Sequence, residues 1–219
     1  MTIINGTNGP DILSDYNDSG RNQFSSNTDD VVYINGFNGD DILSGYDFFR
    51  YNINGGAGKD FLFGGPLNDV LVGDNFFGVG GNDYLGGNEG NDALFGVGGN
   101  DTLNGGPGKD TLYGGSGNDV FKFNSVSDSQ PGLLRDVIND FVGNGNLPGD
   151  QIDLSTIDAN SNIPGNQAFT YIGTRAFSAP GQIRYSGGIL QGNTAGNLSP
   201  EFEIQLVGSP QLVTSDIIL

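Results

Sequence analysis

A nine-residue repeat dominates the sequence between residues 78 and 122. Each of the five consecutive nonapeptides starts at a glycine, carries an aspartate five residues later, and has a large apolar residue two positions after the aspartate. The last three read GVGGNDTLN, GGPGKDTLY and GGSGNDVFK. Because the three residue types keep one phase, each repeat is predicted to form a six-residue turn followed by a three-residue strand.

The period of nine predicts an all-β fold, a right-handed parallel β-roll whose successive strands lie on opposite faces. The middle residue of each strand points inward, as the two-residue period of side chains requires. A flexible glycine- and asparagine-rich linker would have no in-phase leucines. Ten inward positions are expected: Leu13, Val32, Leu43, Leu62, Leu71, Leu85, Leu94, Leu103, Leu112 and Phe121.

The turns are predicted to bind several calcium ions. Their glycines permit left-handed backbone angles, and their aspartates would repel one another without a cation. Calcium accepts six to eight carboxylate and carbonyl oxygens in flexible geometry, whereas magnesium requires a stricter octahedron. The predicted metal-site residues are Asp11, Asp41, Asp60, Asp69, Gly78, Gly80, Asp83, Gly87, Asp92, Gly96, Gly98, Asp101, Gly105, Gly108, Asp110, Gly114, Gly117 and Asp119.

Turns on one edge of a roll stack every second repeat, so ligands for one ion are expected eighteen residues apart. Asp83, Asp101 and Asp119 are predicted to form one ladder of aspartates, extended by Asp30 and Asp60. The opposite edge is predicted to carry Asp11, Asp41, Asp69, Asp92 and Asp110.

Three long turns, residues 15–30, 45–60 and 73–83, are predicted to interrupt the repeats on one and the same edge. They are rich in aromatic residues, which indicates either an N-terminal cap for the roll or a ligand-binding surface. Residues 15–20 (DYNDSG) resemble the first half of an EF-hand loop and are kept as a candidate extra calcium loop.

Composition narrows the possible partners. The chain has a net charge of −18 and neither histidine nor cysteine. Such an acidic chain would repel nucleic acid and anionic membranes, and without histidine it has no imidazole base or histidine-ligated zinc. No apolar run approaches the roughly 20 residues of a membrane span, and the N-terminal residues do not have the pattern of a cleaved signal peptide.

The character of the sequence changes near residue 120. Residues 1–119 contain 17 of the 26 acidic residues, and residues 120–219 have longer β-type segments punctuated by proline and glycine. A β-roll domain over 1–119 and a small β-sandwich-like C-terminal cap over 120–219 are therefore predicted. Asp136, Asp140 and Asp153 in the second region are candidates for either calcium ligands or capping residues.

The chain resembles repeats-in-toxin (RTX) calcium-binding β-roll proteins, with a C-terminal domain similar to that of the serralysin-type metalloproteases. DVFKFNSVSDS, RDVINDF, GDQIDLSTIDAN, AFTYIGTRAFS and EFEIQLVG carry the second resemblance. It implies secretion by a type I exporter through an uncleaved C-terminal signal, here Asp216, Ile217, Ile218 and Leu219. The catalytic HExxH motif of that family requires histidines, which this chain does not have.

We therefore expect a secreted, non-catalytic calcium-binding protein that folds when it meets external calcium. The alternative is a calcium-dependent module of the cell surface or extracellular matrix that binds acidic polysaccharide through the aromatic long turns. An enzyme would need glycosidase chemistry by two carboxyl groups alone, and the turn aspartates are better explained as ligands.

Overall fold

Strands alternate between two parallel β-sheets along the repeats. The structure, a computed structural model, describes residues 2–14, 31–46, 48–75, 80–143 and 149–219. The first sheet contains β1 (Thr2–Asn5), β3 (Val31–Asn38), β5 (Arg50–Ala57), β7 (Val70–Asp74), β9 (Ala93–Gly98) and β11 (Thr111–Ser116). The second contains β2 (Ile12–Ser14), β4 (Ile42–Ser44), β6 (Phe61–Phe63), β8 (Tyr84–Gly86), β10 (Thr102–Asn104) and β12 (Val120–Lys122).

Both sheets continue without a break beyond residue 120. β13 (Asp136–Ile138) and β18 (Phe202–Leu206) extend the first sheet in parallel, and β14 (Gln151–Asp153) and β19 (Ile217–Ile218) extend the second. The first sheet ends in β17 (Ile189–Asn193), β16 (Gln182–Ser186) and β15 (Thr170–Tyr171), where β16–β17 and β17–β18 pair antiparallel. Short 3-10 turns lie at Gly132–Leu134 and Thr214–Asp216. The C-terminal residues thus close the end of the roll.

Inward-pointing apolar residues, one in most strands and two in β3 and β5, build the core between the sheets of the roll. The second sheet contributes a column of fully buried side chains, Leu43, Leu62, Leu85, Leu103, Phe121 and Ile152, that face Ile34, Ile53, Leu71, Leu94, Leu112 and Ile138 of the first. In each strand the neighbouring residues point outward, so the core is two side chains thick. The predicted parallel β-roll is confirmed.

Two strands were not predicted, and one of them changes the topology. Residues 45–60 were expected to be one long turn, but β5 lies within them, with Tyr51 and Ile53 buried. The repeat signal is lost there because Tyr51 stands where the other repeats have an aspartate, in register with Asp69 just before the next strand in the sheet. β1, the other unpredicted strand, pairs with β3 through Ile4 and Ile34. Ile34, two residues beyond the predicted Val32, holds the inward position that aligns with Ile53 and Leu71.

The extra strand also changes which edge each long turn joins. We call the turns that lead from the first sheet to the second the first edge, and those that lead back the second edge. The chain passes from β7 to β8 at the first edge and from β2 to β3 at the second. The prediction that the long turns share one edge is therefore wrong. The segment 15–30, with the EF-hand-like loop and Asp30, lies outside the described residues.

Candidate metal centre

A ladder of seven aspartates runs along the first edge. In each step the backbone N–H of one aspartate donates to Oδ1 of the aspartate in the next turn, at distances of 2.7–2.9 Å. The order along this first ladder is Asp11, Asp41, Asp60, Asp83, Asp101, Asp119 and Asp150.

A shorter ladder follows the second edge. Asp69, Asp92, Asp110 and Asp136 are linked in the same way, and the N–H of Tyr51 donates to Oδ1 of Asp69 at 2.7 Å. This second ladder begins only at the turn before β7, because Tyr51 and Val32 stand at the aspartate level of β5 and β3. The ring of Tyr51 lies beside Gly45, where a Cβ would come 2.5 Å from its Cδ2 atom.

The second carboxylate oxygen of most ladder aspartates is buried and accepts no hydrogen bond from the described residues. This applies to Oδ2 of Asp41, Asp60, Asp83, Asp92, Asp101, Asp110, Asp119 and Asp136. A buried carboxylate oxygen without a partner is costly. A cation bound between the turns would give these buried oxygens a partner, so the turns fit a cation.

Glycine makes the space in which these oxygens converge. A Cβ built on Gly64 would lie 2.5 Å from Oδ2 of Asp69 and 2.6 Å from the carbonyl oxygen of Gly87 in the next turn. On the first edge, a Cβ on Gly6 would lie 2.7 Å from both Oδ2 of Asp11 and the carbonyl oxygen of Gly36. Carboxylate and carbonyl oxygens from two stacked turns thus approach one point, and any side chain would occupy it.

The donor set suits a hard cation. No group of three or more His, Cys, Asp or Glu side chains is close enough to hold a metal among the described residues. Each turn supplies one ladder carboxylate, the connection from β7 to β8 also has the buried Asp74 at its start, and backbone carbonyl oxygens must complete the coordination. Calcium accepts this mixture of oxygen ligands, whereas zinc in proteins is held by nitrogen and sulfur as well as carboxylate side chains.

Burial raises the pKa of the ladder carboxyls far above their ordinary value of 3.8. The pKa of Asp60, Asp69 and Asp119 rises to about 6, that of Asp83 and Asp110 to about 7, that of Asp92 and Asp101 to about 8, and that of Asp136 to about 9. Hydrogen bonds from backbone N–H groups oppose the shift, and neighbouring aspartates generally reinforce it. Without a cation, the ladders hold protons or unbalanced charge near neutral pH.

Comparison with models of known protein families finds a match in the part of the chain that carries most of the ladder aspartates. The family model of the RTX calcium-binding nonapeptide repeat (4 copies) matches residues 52–71, 72–103 and 86–121. The chain therefore contains RTX calcium-binding repeats. Such repeats bind Ca²⁺ at several turns, and the ladder aspartates from Asp60 to Asp119 lie inside the matched residues.

Other comparisons add little beyond the RTX match. The chain is 27% identical to a solved structure described as the AlgE6R3 subunit from the Azotobacter vinelandii mannuronan C5-epimerase, at a TM-score of 0.33. The similarity covers 74% of this chain and 78% of that one. None of the curated proteins compared matches. The RTX match ends at residue 121, so the serralysin resemblance of the C-terminal residues stays a prediction.

The nine aspartates predicted as metal-site residues all lie in the two ladders, but two of them belong to the other edge. Asp30, predicted to extend one ladder, lies outside the described residues. Asp11 and Asp41 were assigned with Asp69 and stand instead in the first ladder with Asp83, because β5 shifts the count of strands. Asp11 is the terminal member. Its Oδ2 already accepts the N–H of Thr7 at 2.6 Å and the hydroxyl of Thr7 at 3.0 Å.

The predicted glycines divide into two structural groups. Gly87, Gly96, Gly105 and Gly114 stand beside Oδ2 of their own turn's aspartate. Gly80, Gly98, Gly108 and Gly117 lie further along the turns, and a Cβ on Gly108 or Gly117 would clash with a carbonyl oxygen of the turn before. Gly78 lies outside the described residues. Gly73 takes the first-glycine place in that turn, beside Oδ2 of Asp83.

Two ladder aspartates come from beyond the RTX repeats. Asp136, predicted to be either a ligand or a capping residue, follows Asp110 in the second ladder and accepts its N–H. Asp150 was missed, although it precedes the inward Ile152 by the same two residues that separate Asp119 from Phe121. Asp140 instead accepts the N–H groups of Gly114 and Gly115. The remaining candidate, Asp153, pairs with Lys122 at 2.8 Å and caps Ser155.

Proposed function

We propose that this chain is a secreted, non-catalytic protein whose β-roll folds when the RTX repeats bind external calcium. The observation that carries this proposal is the set of buried ladder carboxylates whose Oδ2 atoms accept no hydrogen bond from the described residues. A fold that buries so many unbalanced acids is unfavourable at neutral pH until a cation binds between the turns.

The small core makes the folded state dependent on the ions. Most strands of the repeats bury only one or two inward side chains between the sheets, while the 39 glycines of the chain lose a large conformational entropy when ordered. Each ion that binds the folded state alone adds about 1.4 kcal/mol at roughly tenfold excess over its dissociation constant. Several stacked sites can therefore supply most of the free energy of folding.

Export before folding agrees with the place of the proposed C-terminal signal. Ile217 and Ile218 form β19 beside β14, and Asp216 is buried. We infer that the type I exporter reads Asp216–Leu219 while the chain is unfolded. In the described residues, no helix is long and apolar enough to cross a membrane.

A non-catalytic role is supported by the composition of the chain and by the hydrogen bonds in which its buried aspartates are engaged. The chain has no histidine, and the buried aspartates of both ladders are committed to turn-to-turn hydrogen bonds. The alternative, acidic polysaccharide held by long turns on one edge, loses its premise because those turns do not share an edge.

Circular dichroism during a calcium titration tests the proposal. Metal-free protein at neutral pH is expected to be largely unfolded and to gain β-structure cooperatively as calcium reaches roughly 10⁻⁴–10⁻³ M, the range of extracellular calcium modules. Magnesium at the same concentrations serves as the control and should produce little change. Spectra that do not respond to calcium would contradict the proposal.

A further inference from the structure

A continuous groove runs along the outer face of the second sheet, beside the turns of the second edge. It consists of three adjoining cavities of about 580, 210 and 230 Å³. Phe63 and Asn88 line both the first and the second cavity, and Asn124 lines both the second and the third. We call this feature the aromatic groove. It extends from β4, past β6 to β12, to the turn that follows β14.

The floor of the aromatic groove is a cluster of packed aromatic side chains. Phe63 and Tyr84 point outward from β6 and β8, with ring centroids 5.5 Å apart. Phe61, which is paired with Tyr84 across the two strands, stacks on it at 6.3 Å. Gly86 leaves room for the rings, because a Cβ there would lie 3.3 Å from Cδ1 of Phe63 and 3.4 Å from Cε1 of Tyr84. Tyr46, which is 64% exposed, stands at the first cavity.

The walls of the groove are polar, and the described residues that line its three cavities include no lysine or arginine. Amide and hydroxyl side chains recur along all three cavities, including Ser44, Asn88, Asn104, Asn124, Thr156 and Ser161. The charged residues in these linings are all acids, namely Glu89, Asp128 and Asp158. The lysines on this face of the sheet are already engaged, since Lys59 lies over the ring of Phe61 at 5.6 Å and Lys122 pairs with Asp153 at 2.8 Å. An anionic ligand would therefore meet the three acids of the linings.

We propose that the aromatic groove binds a neutral polysaccharide. The apolar face of a sugar ring stacks on an aromatic side chain, and its hydroxyl groups exchange hydrogen bonds with amides, hydroxyls and carboxylates. The strands beneath the groove are spaced by about 4.8 Å, close to the length that one pyranose residue adds to an extended chain. Successive sugar residues would thus meet successive strands.

This inference goes beyond the proposed function and depends on it in one respect. Pro66, Asn88 and Pro107 of the groove wall belong to second-edge turns that contain Asp69, Asp92 and Asp110. Calcium that orders those turns would form the wall without contacting the sugar. Binding must therefore be measured on calcium-loaded protein whose fold is verified by circular dichroism, which keeps a failure of calcium folding distinct from a failure of sugar binding.

Titration calorimetry with defined hexasaccharides provides the test. The neutral probes are cellohexaose, xylohexaose and maltohexaose, and the acidic probes are hexamers of guluronate and galacturonate. We expect at least one neutral probe to bind, and Phe63→Ala to weaken that binding about tenfold or more, as removal of a central aromatic contact commonly does.

Phe95→Ala is the matched control. Phe95 also points outward from a strand and stacks on an aromatic neighbour, Tyr113, at 4.9 Å, but it lies on the first sheet, away from the groove. This control should bind the neutral probe as the unaltered protein does. No binding of a neutral probe by folded protein, binding of the acidic probes alone, or equal losses in the two variants would each overturn the proposal.

Discussion

The two oxygens of one ladder carboxylate have different tasks. Oδ1 of Asp101 accepts the N–H of Asp83 at 2.8 Å, and Oδ2 accepts nothing from the described residues. Oδ1 accepts the hydrogen bond that links two successive turns, and Oδ2 is available to bind the ion. Asparagine keeps an oxygen that can accept the hydrogen bond but carries no charge, so it distinguishes the two roles.

Asp101→Asn is expected to change the stability of the metal-free and calcium-loaded proteins in opposite directions. The amide oxygen can still accept the N–H of Asp83, and the folded state no longer has to bury a charge or take up a proton at this position. At about pH 5, where the metal-free protein is expected to be folded, the variant should therefore resist urea better. With calcium, the variant should need a higher calcium concentration to fold because one anionic ligand is missing.

Calcium titrations and urea unfolding followed by circular dichroism would measure both effects. Asp158→Asn is the control, since Asp158 accepts local hydrogen bonds from Asn160 and Gln167 outside the ladders. Loss of stability in the metal-free Asp101→Asn protein would contradict the assignment of Oδ2.

Gly96→Ala tests the space between stacked turns. A Cβ on Gly96 would occupy the place where Oδ2 of Asp101 and the carbonyl oxygen of Gly114 converge. Overpacking of this kind commonly costs about 1–3 kcal/mol, and the ion should also be displaced. Thermal unfolding in calcium would show the loss, and Gly9→Ala, which meets nothing within 4 Å, should change little.

At the scale of the strand, the leucine columns carry the apolar stabilisation. Leu103 of β10 is fully buried, whereas Ile12 of β2 points outward and is 81% exposed. Leu103→Ala should lower the free energy of unfolding in calcium by about 2–5 kcal/mol, and Ile12→Ala by less than about 0.5 kcal/mol. Chemical unfolding at saturating calcium would measure both, and similar losses would contradict the inward assignment.

The strands that the repeat specifies could be predicted from the sequence, and those without its signal could not. Leu85, Leu94, Leu103 and Leu112 keep the period of nine, and each is buried as expected. β5 escaped prediction because its inward residues are Tyr51 and Ile53 and its turn has no aspartate at the ladder level. Since strands alternate between sheets, one missed strand reversed the edge of every turn before it.

The sequence predicted the eighteen-residue spacing of the ladder aspartates within the repeats, but not which aspartates contact each other outside them. Asp119 was placed correctly, yet its partner Asp150 lies 31 residues on and not eighteen. Only the local pattern of an aspartate two residues before an inward apolar residue links Asp150 and Asp136 to the repeats. The aromatic groove was not foreseen either, because Phe63 and Tyr84 belong to different repeats that meet only across the second sheet.

For the whole molecule, the raised carboxyl pKa values predict a metal-free fold that is favoured by acid. Burial raises the pKa of Asp92 and Asp101 from 3.8 to about 8, so the folded state binds protons more tightly than the unfolded state. This contribution to stability is fully present below about pH 4 and is lost as the pH rises through the folded values of about 6 to 9.

Circular dichroism of metal-free protein from pH 4 to pH 9 would show this dependence. Folded signal should decrease as the pH rises, and added calcium should restore it most strongly at the alkaline end, where calcium does not compete with protons. A metal-free fold that becomes more stable toward pH 8 would contradict the buried-carboxyl account. Far-UV spectra recorded with and without calcium at each pH provide the comparison.

The hydrogen bonds of both ladders point the same way along the chain. Each aspartate donates its N–H to the carboxylate of a later turn, and the last acceptors, Asp136 and Asp150, stand in the C-terminal part. At the opposite end, Asp11 is satisfied within its own turn by Thr7. The N–H of each ladder aspartate before the last therefore depends on the following turn for its acceptor. The C-terminal strands thus stabilise the turns that precede them: a roll cut off before Asp136 would leave the N–H groups of Asp110 and Asp119 without their acceptors.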